Sequence, residues 1–245
     1  MKNSSRIAWI SAGDPPERFP DVSKAAGEPN GLLAAGGDLS AERLLYAYRH
    51  GIFPWFSEGQ PILWWSPDPR CVLEPSQFHV SRSLRRSLRR AEFVSSFNEA
   101  FDDVVAACAE ERPGQDGTWI TEDMARAYSG LRRDGWAHSV EIRSGDELVG
   151  GMYGLAIGRV FFGESMFSRH DDASKAAMLV LCRELAARDF LLLDCQVESP
   201  HLLTLGARLM PRAAFSALLA DACRAPERWT GLPAGRRTVS ADSLQ

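Results

Sequence analysis

Apolar residues recur at helical spacing in several short blocks along the chain. Ala41–His50 follows Ser40, a good N-cap, and stops at Gly51, where a left-handed glycine would end a helix. Ser81 opens a helix to about Arg90. Asn98–Glu111 predicts a third helix, with Phe101, Val104, Val105 and Cys108 on one stripe, and Thr121 caps a fourth at Glu122–Arg133, ended near Gly135. Strand signals then take over. His138–Arg143, Glu147–Ala156 and Arg159–Met166 predict strands joined by tight turns at Ser144-Gly145-Asp146 and Ile157-Gly158. A helix at Ala173–Ala187, a strand at Phe190–Val197 and helices near His201–Gly206 and Arg212–Arg224 complete the pattern. Helices interleaved with an antiparallel meander predict an α+β layered sheet, not a doubly wound one.

Upstream of this regular region the pattern breaks up. Residues 11–31 are rich in Pro, Gly and charge, and turns follow at Asn30-Gly31 and Gly36-Gly37-Asp38. Pro54, Pro61, Pro67 and Pro69 bar a continuous helix or central strand, while Trp55, Trp64 and Trp65 fall within eleven residues. This predicts a small loop-rich N-terminal domain, residues 1–70, with an aromatic wall of Phe53, Trp55, Phe56, Trp64 and Trp65. Residues 71–245 form the second domain.

Composition narrows the class. The 245 residues are 45% hydrophobic and 24% charged with a formal net charge of −4, so the chain can bury a real core and a uniformly basic nucleic-acid coat is excluded. Five cysteines without a CxxC, and no His at zinc spacing beside a Cys pair, predict free, mostly buried thiols in a reducing compartment. The apolar run Ile7–Ile10 is too short for a secretory signal, and no window reaches a membrane span, so a cytoplasmic protein is expected.

Four segments carry candidate chemistry. Arg82, Arg85, Arg86, Arg89 and Arg90 share a helix face while Leu84 and Leu88 face inward. That face is either a phosphate footprint or a solvated surface neutralised by neighbouring acids. The aromatic wall, with Trp119 beside a glycine turn, either stacks bases or packs a small core. Glu164 sits in an apolar strand among Phe161, Phe162, Met166 and Phe167, after the paired glycines Gly150-Gly151. A carboxylate there must find donors or a cation, and Arg169 is one candidate partner. Asp194 and Gln196 lie two apart on a strand and so share a face. No P-loop, GxGxxG, HExxH or GxSxG occurs, and the five scattered histidines receive no catalytic role.

The blocks Asn30-Gly31-Leu32-Leu33-Ala34, Gly36-Gly37-Asp38-Leu39, Gly51-Ile52-Phe53-Pro54-Trp55-Phe56 and Trp64-Trp65-Ser66-Pro67-Asp68-Pro69-Arg70 resemble the leucyl/phenylalanyl-tRNA–protein transferase family. So do Gly150-Gly151-Met152-Tyr153-Gly154, Gly163-Glu164-Ser165-Met166-Phe167-Ser168-Arg169, Ala173-Ser174-Lys175 and Asp194-Cys195-Gln196. The blocks keep family order over roughly residues 28–212. The resemblance implies a small N-terminal domain followed by an acetyltransferase-like (GNAT) domain with a mostly antiparallel central sheet flanked by helices. It implies transfer of leucine or phenylalanine, less readily methionine, from aminoacyl-tRNA to proteins with N-terminal Arg or Lys, marking them for N-degron proteolysis. Where that fold usually binds a pyrophosphate, Ser168-Arg169-His170-Asp171-Asp172-Ala173 has two acids and no glycine, which suits tRNA in place of CoA.

By the same resemblance, Trp55 and Trp119 lie near the aminoacyl-adenosine end, and Met152, Phe161 and Met166 line the side-chain pocket. Met178, Leu181 and Leu193 are further apolar candidates. Glu164, Asp194 and Gln196 match the family's catalytic and acceptor-binding polar residues. On the chemistry, Glu164 is read as the recognition group for the acceptor's N-terminal amine or basic side chain. Asp194 and Gln196 are read as orienting the nucleophilic amine, with either Asp194 or the tRNA's own ribose hydroxyl as the proton acceptor. Arg82, Arg85 and Arg86 contact the tRNA acceptor stem. Neither metal nor other cofactor is implied, because the ester is energised when the tRNA is charged, and the protein is expected to be monomeric. Three rivals use the same residues: a CoA-dependent acetyltransferase, a tRNA-dependent transferase with a non-protein acceptor, and a non-catalytic RNA-binding module.

Overall fold

The computed structural model of the chain describes residues 7–110, 120–224 and 228–239. The Pro-rich N-terminal segment holds more strand than its pattern predicts. β1 (Ala8–Ile10), β2 (Leu32–Gly36), β3 (Phe53–Pro54) and β4 (Leu63–Trp65) form a four-stranded sheet in the order β1-β2-β4-β3. β1 runs parallel to β2 and the other pairs are antiparallel. The strands are so short that the prolines fall at their ends or in the connections, and Pro54 ends the edge strand β3. Between them lies α1 (Ala41–Arg49), opened by the Ser40 hydroxyl accepting from the Arg43 amide and closed by Gly51 at φ 73°.

Most of the aromatic wall is core. Phe53, Phe56 and Trp64 are buried, and the Trp64 indole donates to the Gly36 carbonyl at 2.8 Å. Trp55 is exposed, with its ring 5.8 Å from that of the half-buried Trp65.

Downstream, β5 (Arg70–Leu73), α2 (Arg82–Ala91), β6 (Val94–Phe97), α3 (Phe101–Ala109) and α4 (Glu122–Arg133) lead into the meander β7 (Ala137–Ser144), β8 (Glu147–Ile157) and β9 (Val160–Ser168). Then follow α5 (Ala173–Ala186), β10 (Leu192–Gln196), α6 (Pro200–Thr204), β11 (Arg208–Met210), α7 (Arg212–Ala222) and β12 (Arg237–Thr238). The eight strands order as β11-β5-β10-β9-β8-β7-β6-β12. Among the described residues β9–β10 is the parallel pair and every other pairing in this sheet is antiparallel. The fold is therefore α+β with a mostly antiparallel sheet, as the pattern predicts.

Helices cover both sides. Leu44 and Tyr48 of α1, Val104 of α3, Met124 and Tyr128 of α4 and Phe215 of α7 bury one face of the sheet, together with residues of the small sheet such as Ile10 and Trp64. Leu84 and Leu88 of α2 and Met178, Leu181 and Leu185 of α5 bury the other. Cys71, Cys108, Cys182 and Cys223 are buried free thiols and Cys195 is half-buried. No helix of the described residues is long and apolar enough to cross a membrane.

Candidate active site

The parallel strands β9 and β10 pair only from Leu192 opposite Val160 to Asp194 opposite Phe162. Beyond that point two bulges disturb the ladders on either side. In β9 the register shifts between Gly163 and Ser165 against β8, which makes Glu164 the extra residue. Gly154 permits this bulge, since a Cβ there would lie 2.1 Å from the Phe162 carbonyl oxygen. In β10 the register shifts between Asp194 and Gln196, and Gln196 adopts φ 62°. The strands part, and the gap holds a cavity of about 110 Å³.

Met152, Gly163, Met166, Met178, Leu193 and Leu202 make its apolar wall, and Glu164, Ser165, Asp194 and Cys195 complete it. A dry protein cavity of roughly 150 Å³ holds a benzene molecule, so this open-mouthed space suits a branched aliphatic group or a phenyl ring. Its three methionines adapt to either shape. Phe161 and Leu181 stand elsewhere: both are buried core residues outside the cavity lining, Phe161 with its ring 5.9 Å from that of Trp229.

Glu164 finds donors and not a cation. Tyr48 donates to Oε1 at 2.7 Å, Tyr128 to Oε2 at 2.6 Å and the Gln196 side-chain amide to Oε1 at 2.9 Å. Arg169 pairs instead with Glu110 and lies over the Phe167 ring. Burial of the charge is the dominant influence and outweighs the three donors, and the nearby Asp194 charge adds to it, so the Glu164 pKa rises from 4.5 to about 7. Burial and the Glu164 charge push both tyrosines well above their usual range, so they remain hydroxyl donors.

Asp194 is committed differently. It is fully buried, and Arg70 grips it in a fork, Nε to Oδ1 at 2.8 Å and Nη2 to Oδ2 at 2.7 Å. The third guanidinium nitrogen donates to the Gly51 carbonyl at 3.0 Å, and the group lies between the rings of Phe53 and Phe215. Asp194 Oδ1 also accepts the backbone N–H of Gln196 at 2.9 Å, which holds Gln196 in its left-handed conformation. The bulge and not simple strand alternation thus joins Asp194, Gln196 and Glu164 into one network. Both Asp194 oxygens are engaged, Oδ1 by two donors and Oδ2 by one.

The sequence reasoning missed three members. Tyr48 and Tyr128 fall inside predicted helices with nothing to single them out, and Arg70 at the end of a loop motif. Only a buried acid demanding partners hinted that they were needed.

On the opposite side of the sheet from Tyr48, α2 exposes Arg82, Arg85, Arg86, Arg89 and Arg90 and buries Leu84 and Leu88. Arg86 and Arg90 line an open groove with Ser83, Ser87, His170 and Asp171. Among the described residues Arg82, Arg86 and Arg90 make no ion pair. Trp55 lies outside the cavity lining, and Trp119 lies outside the described residues. No cluster of metal ligands occurs among the described residues.

A carboxyl with a raised pKa thus lines an apolar cavity, on a sheet that also carries a basic helix, an arrangement suited to group transfer. The leucyl/phenylalanyl-tRNA protein transferase model matches residues 72–220, and the model of that family's N-terminal domain matches residues 37–68. A leucyl/phenylalanyl-tRNA–protein transferase of Pseudomonas fluorescens (strain SBW25) is 57% identical over 83% of this chain and 90% of its own. One of Ectopseudomonas mendocina (strain ymp) is 56% identical over 86% and 93%. The chain belongs to this family and is an aminoacyltransferase, which moves an aminoacyl group from tRNA to protein. Solved structures with partial likeness include L-PGS from Bacillus licheniformis, at TM-score 0.40 and 11% identity over 66% of this chain and 52% of that one. A GCN5-related N-acetyltransferase from Kribbella flavida gives TM-score 0.33 and 14% identity over 68% and 59%.

Proposed function

We propose that the enzyme transfers leucine or phenylalanine, and less readily methionine, from the tRNA ester to the α-amine of proteins that begin with Arg or Lys. The product is marked for degradation, and the enzyme works as a cytoplasmic monomer. The observation that carries this reading is Glu164, a carboxyl with pKa about 7 at the mouth of a cavity sized for those side chains.

The reaction is aminolysis of an activated ester. The acceptor amine attacks the aminoacyl carbonyl, a tetrahedral oxyanion forms, and the ribose oxygen leaves with a proton. An α-ammonium has pKa about 7.7–8.0, so a carboxylate with pKa about 7 is a well-matched acceptor for the proton that the nucleophile sheds. We therefore assign that step to Glu164 and not to Asp194. Gln196 has its amide nitrogen engaged with Glu164, which leaves its carbonyl oxygen to accept an N–H of the incoming amine. Arg70 and Asp194 fix Gln196, and alignment of two bound reactants is worth ~7–11 kcal/mol of barrier.

The cavity wall of Met152, Met166, Met178 and Leu193 takes the aminoacyl side chain. Trp55 and Trp119 stack on the terminal adenosine, and Arg82, Arg85 and Arg86 hold acceptor-stem phosphates. A CoA reading is disfavoured at the start of α5, where Asp171 and Asp172 meet any pyrophosphate and Asp172 is bonded to Lys175 at 2.6 Å.

Leu-tRNA and a peptide beginning with Arg, incubated with the enzyme without ATP or CoA, test the reading by mass spectrometry. The peptide should gain one leucine, and an acetyl-capped peptide should gain none. An unmodified Arg peptide, or acetylation when acetyl-CoA is added, would overturn it.

A further inference from the structure

We propose that Glu198 binds the basic side chain of the acceptor's first residue and so sets acceptor specificity. The inference rests on the proposed function, in which acceptors begin with Arg or Lys.

The two carboxylates that line the cavity, and others on neighbouring elements, are engaged. Asp194 is held by Arg70 and Glu164 by two tyrosines and Gln196. Asp68 accepts from the Arg212 amide at 3.0 Å, Glu74 pairs with Arg208 at 2.7 Å and Asp172 with Lys175 at 2.6 Å. Glu198 is exposed, and among the described residues it makes no ion pair and no side-chain hydrogen bond.

Its segment is the lip of the cavity. Cys195 and Leu202 on either side both line the space. The backbone between them is pinned: the Val197 amide donates to the Cys195 carbonyl at 2.8 Å, and the Ser199 hydroxyl accepts from the Leu202 amide at 3.3 Å to cap α6. One residue, Val197, separates Glu198 from Gln196, so their backbones lie at most about 7 Å apart, comparable to an extended Arg or Lys side chain. An amine positioned at Gln196 and Glu164 thus leaves its own side chain within reach of Glu198. The charge of Glu198 also reaches the Cys71 thiol, on the strand that pairs with β10.

Steady-state transfer by Glu198→Gln and Glu198→Lys, with the Arg peptide and Leu-tRNA varied separately, tests the assignment. The KM for the peptide should rise about fivefold in Glu198→Gln, the scale of one partly exposed charge pair, and further in Glu198→Lys. The KM for Leu-tRNA should stay put, and added salt should raise the peptide KM less in Glu198→Gln than in the wild type. A peptide KM within twofold of wild type in both variants would overturn the role of Glu198 while the acceptor reading stands. Failure of the wild-type enzyme to modify the Arg peptide would instead remove the reading on which the proposal rests.

Discussion

The hydroxyls of Tyr48 and Tyr128 lie 2.5 Å apart, and each is also within 2.7 Å of a different oxygen of Glu164. These three groups make a ring of three close oxygen approaches. Two hydroxyl protons fill only two of them when Glu164 is ionised. Both hydroxyls point at Glu164 and favour its ionised form, which burial of the charge outweighs. A carboxyl poised near neutrality is the consequence, and it has effects on stability as well as on rate.

The stability effect has a definite sign. Glu164 binds its proton more tightly in the folded state, at about 7, than at the unfolded value of 4.5. Below 4.5 both states are protonated and there is no penalty. As pH rises the unfolded chain ionises first, so folding loses stability until the penalty is complete above 7. At 1.36 kcal/mol per pH unit the total is about 3 kcal/mol. Glu164→Gln escapes this penalty. Its urea stability relative to wild type should improve by up to that amount between pH 4.5 and pH 8, and a pH-independent difference would count against the raised pKa.

Arg70 and Asp194 form a buried pair whose halves are unequal to their sum. Removing one partner, in Arg70→Met or Asp194→Asn, should cost about 3–5 kcal/mol, because a charge or an open set of donors is stranded. The double variant Arg70→Met with Asp194→Leu should regain most of that stability. It should still fail in transfer, because Gln196 loses the acceptor for its backbone N–H. Transfer restored along with stability would show that the pair does not position Gln196.

Gly163 provides a way to narrow the cavity without breaking the sheet. A Cβ there would lie 3.4 Å from the Asp194 carbonyl oxygen, 3.5 Å from Leu193 Cδ1 and 3.9 Å from Met152 Cε, which are ordinary van der Waals distances. Gly163→Ala should fold normally and disfavour the bulkier donor. In a competition between Phe-tRNA and Leu-tRNA the preference should shift toward leucine about tenfold, the low end of what one carbon unit is worth in an apolar pocket. An unchanged ratio would place the side chain elsewhere.

The arginines of α2 predict a salt signature. Replacing Arg82, Arg85 and Arg86 with Ala should raise the KM for charged tRNA. It should also flatten the plot of log affinity against log salt by roughly 0.7–0.9 for each phosphate that the protein no longer neutralises. An unaltered slope would move the tRNA footprint off this helix.

Most of the regular fold is legible in the chain because local signals and tertiary needs agree there. Ser40, Ser81 and Thr121 cap the helices their positions predict, and the meander from β7 to β9 follows its alternation and turns. Strands of two to five residues such as β3, β5 and β6 escape detection because they are too short for a period to show. Glu164, Asp194 and Gln196 stand out as polar residues in apolar strands, and the structure brings them together. Their division of labour does not show in the sequence. It depends on Arg70 reaching Asp194 across 124 residues and on Tyr48 reaching Glu164 across 116. Two β-bulges, which alternation cannot reveal, aim the groups. The aromatic wall misleads for the opposite reason, since buried and exposed tryptophans look alike in sequence.

The most direct test of the account is the pH dependence of a single turnover of Leu-tRNA with saturating enzyme and Arg peptide, for wild type and Glu164→Gln. If Glu164 takes the proton, the wild-type rate rises with a limb centred near pH 7, and in Glu164→Gln that limb vanishes, leaving a slow reaction that follows the acceptor amine alone. A Glu164→Gln profile with the wild-type limb intact would contradict it.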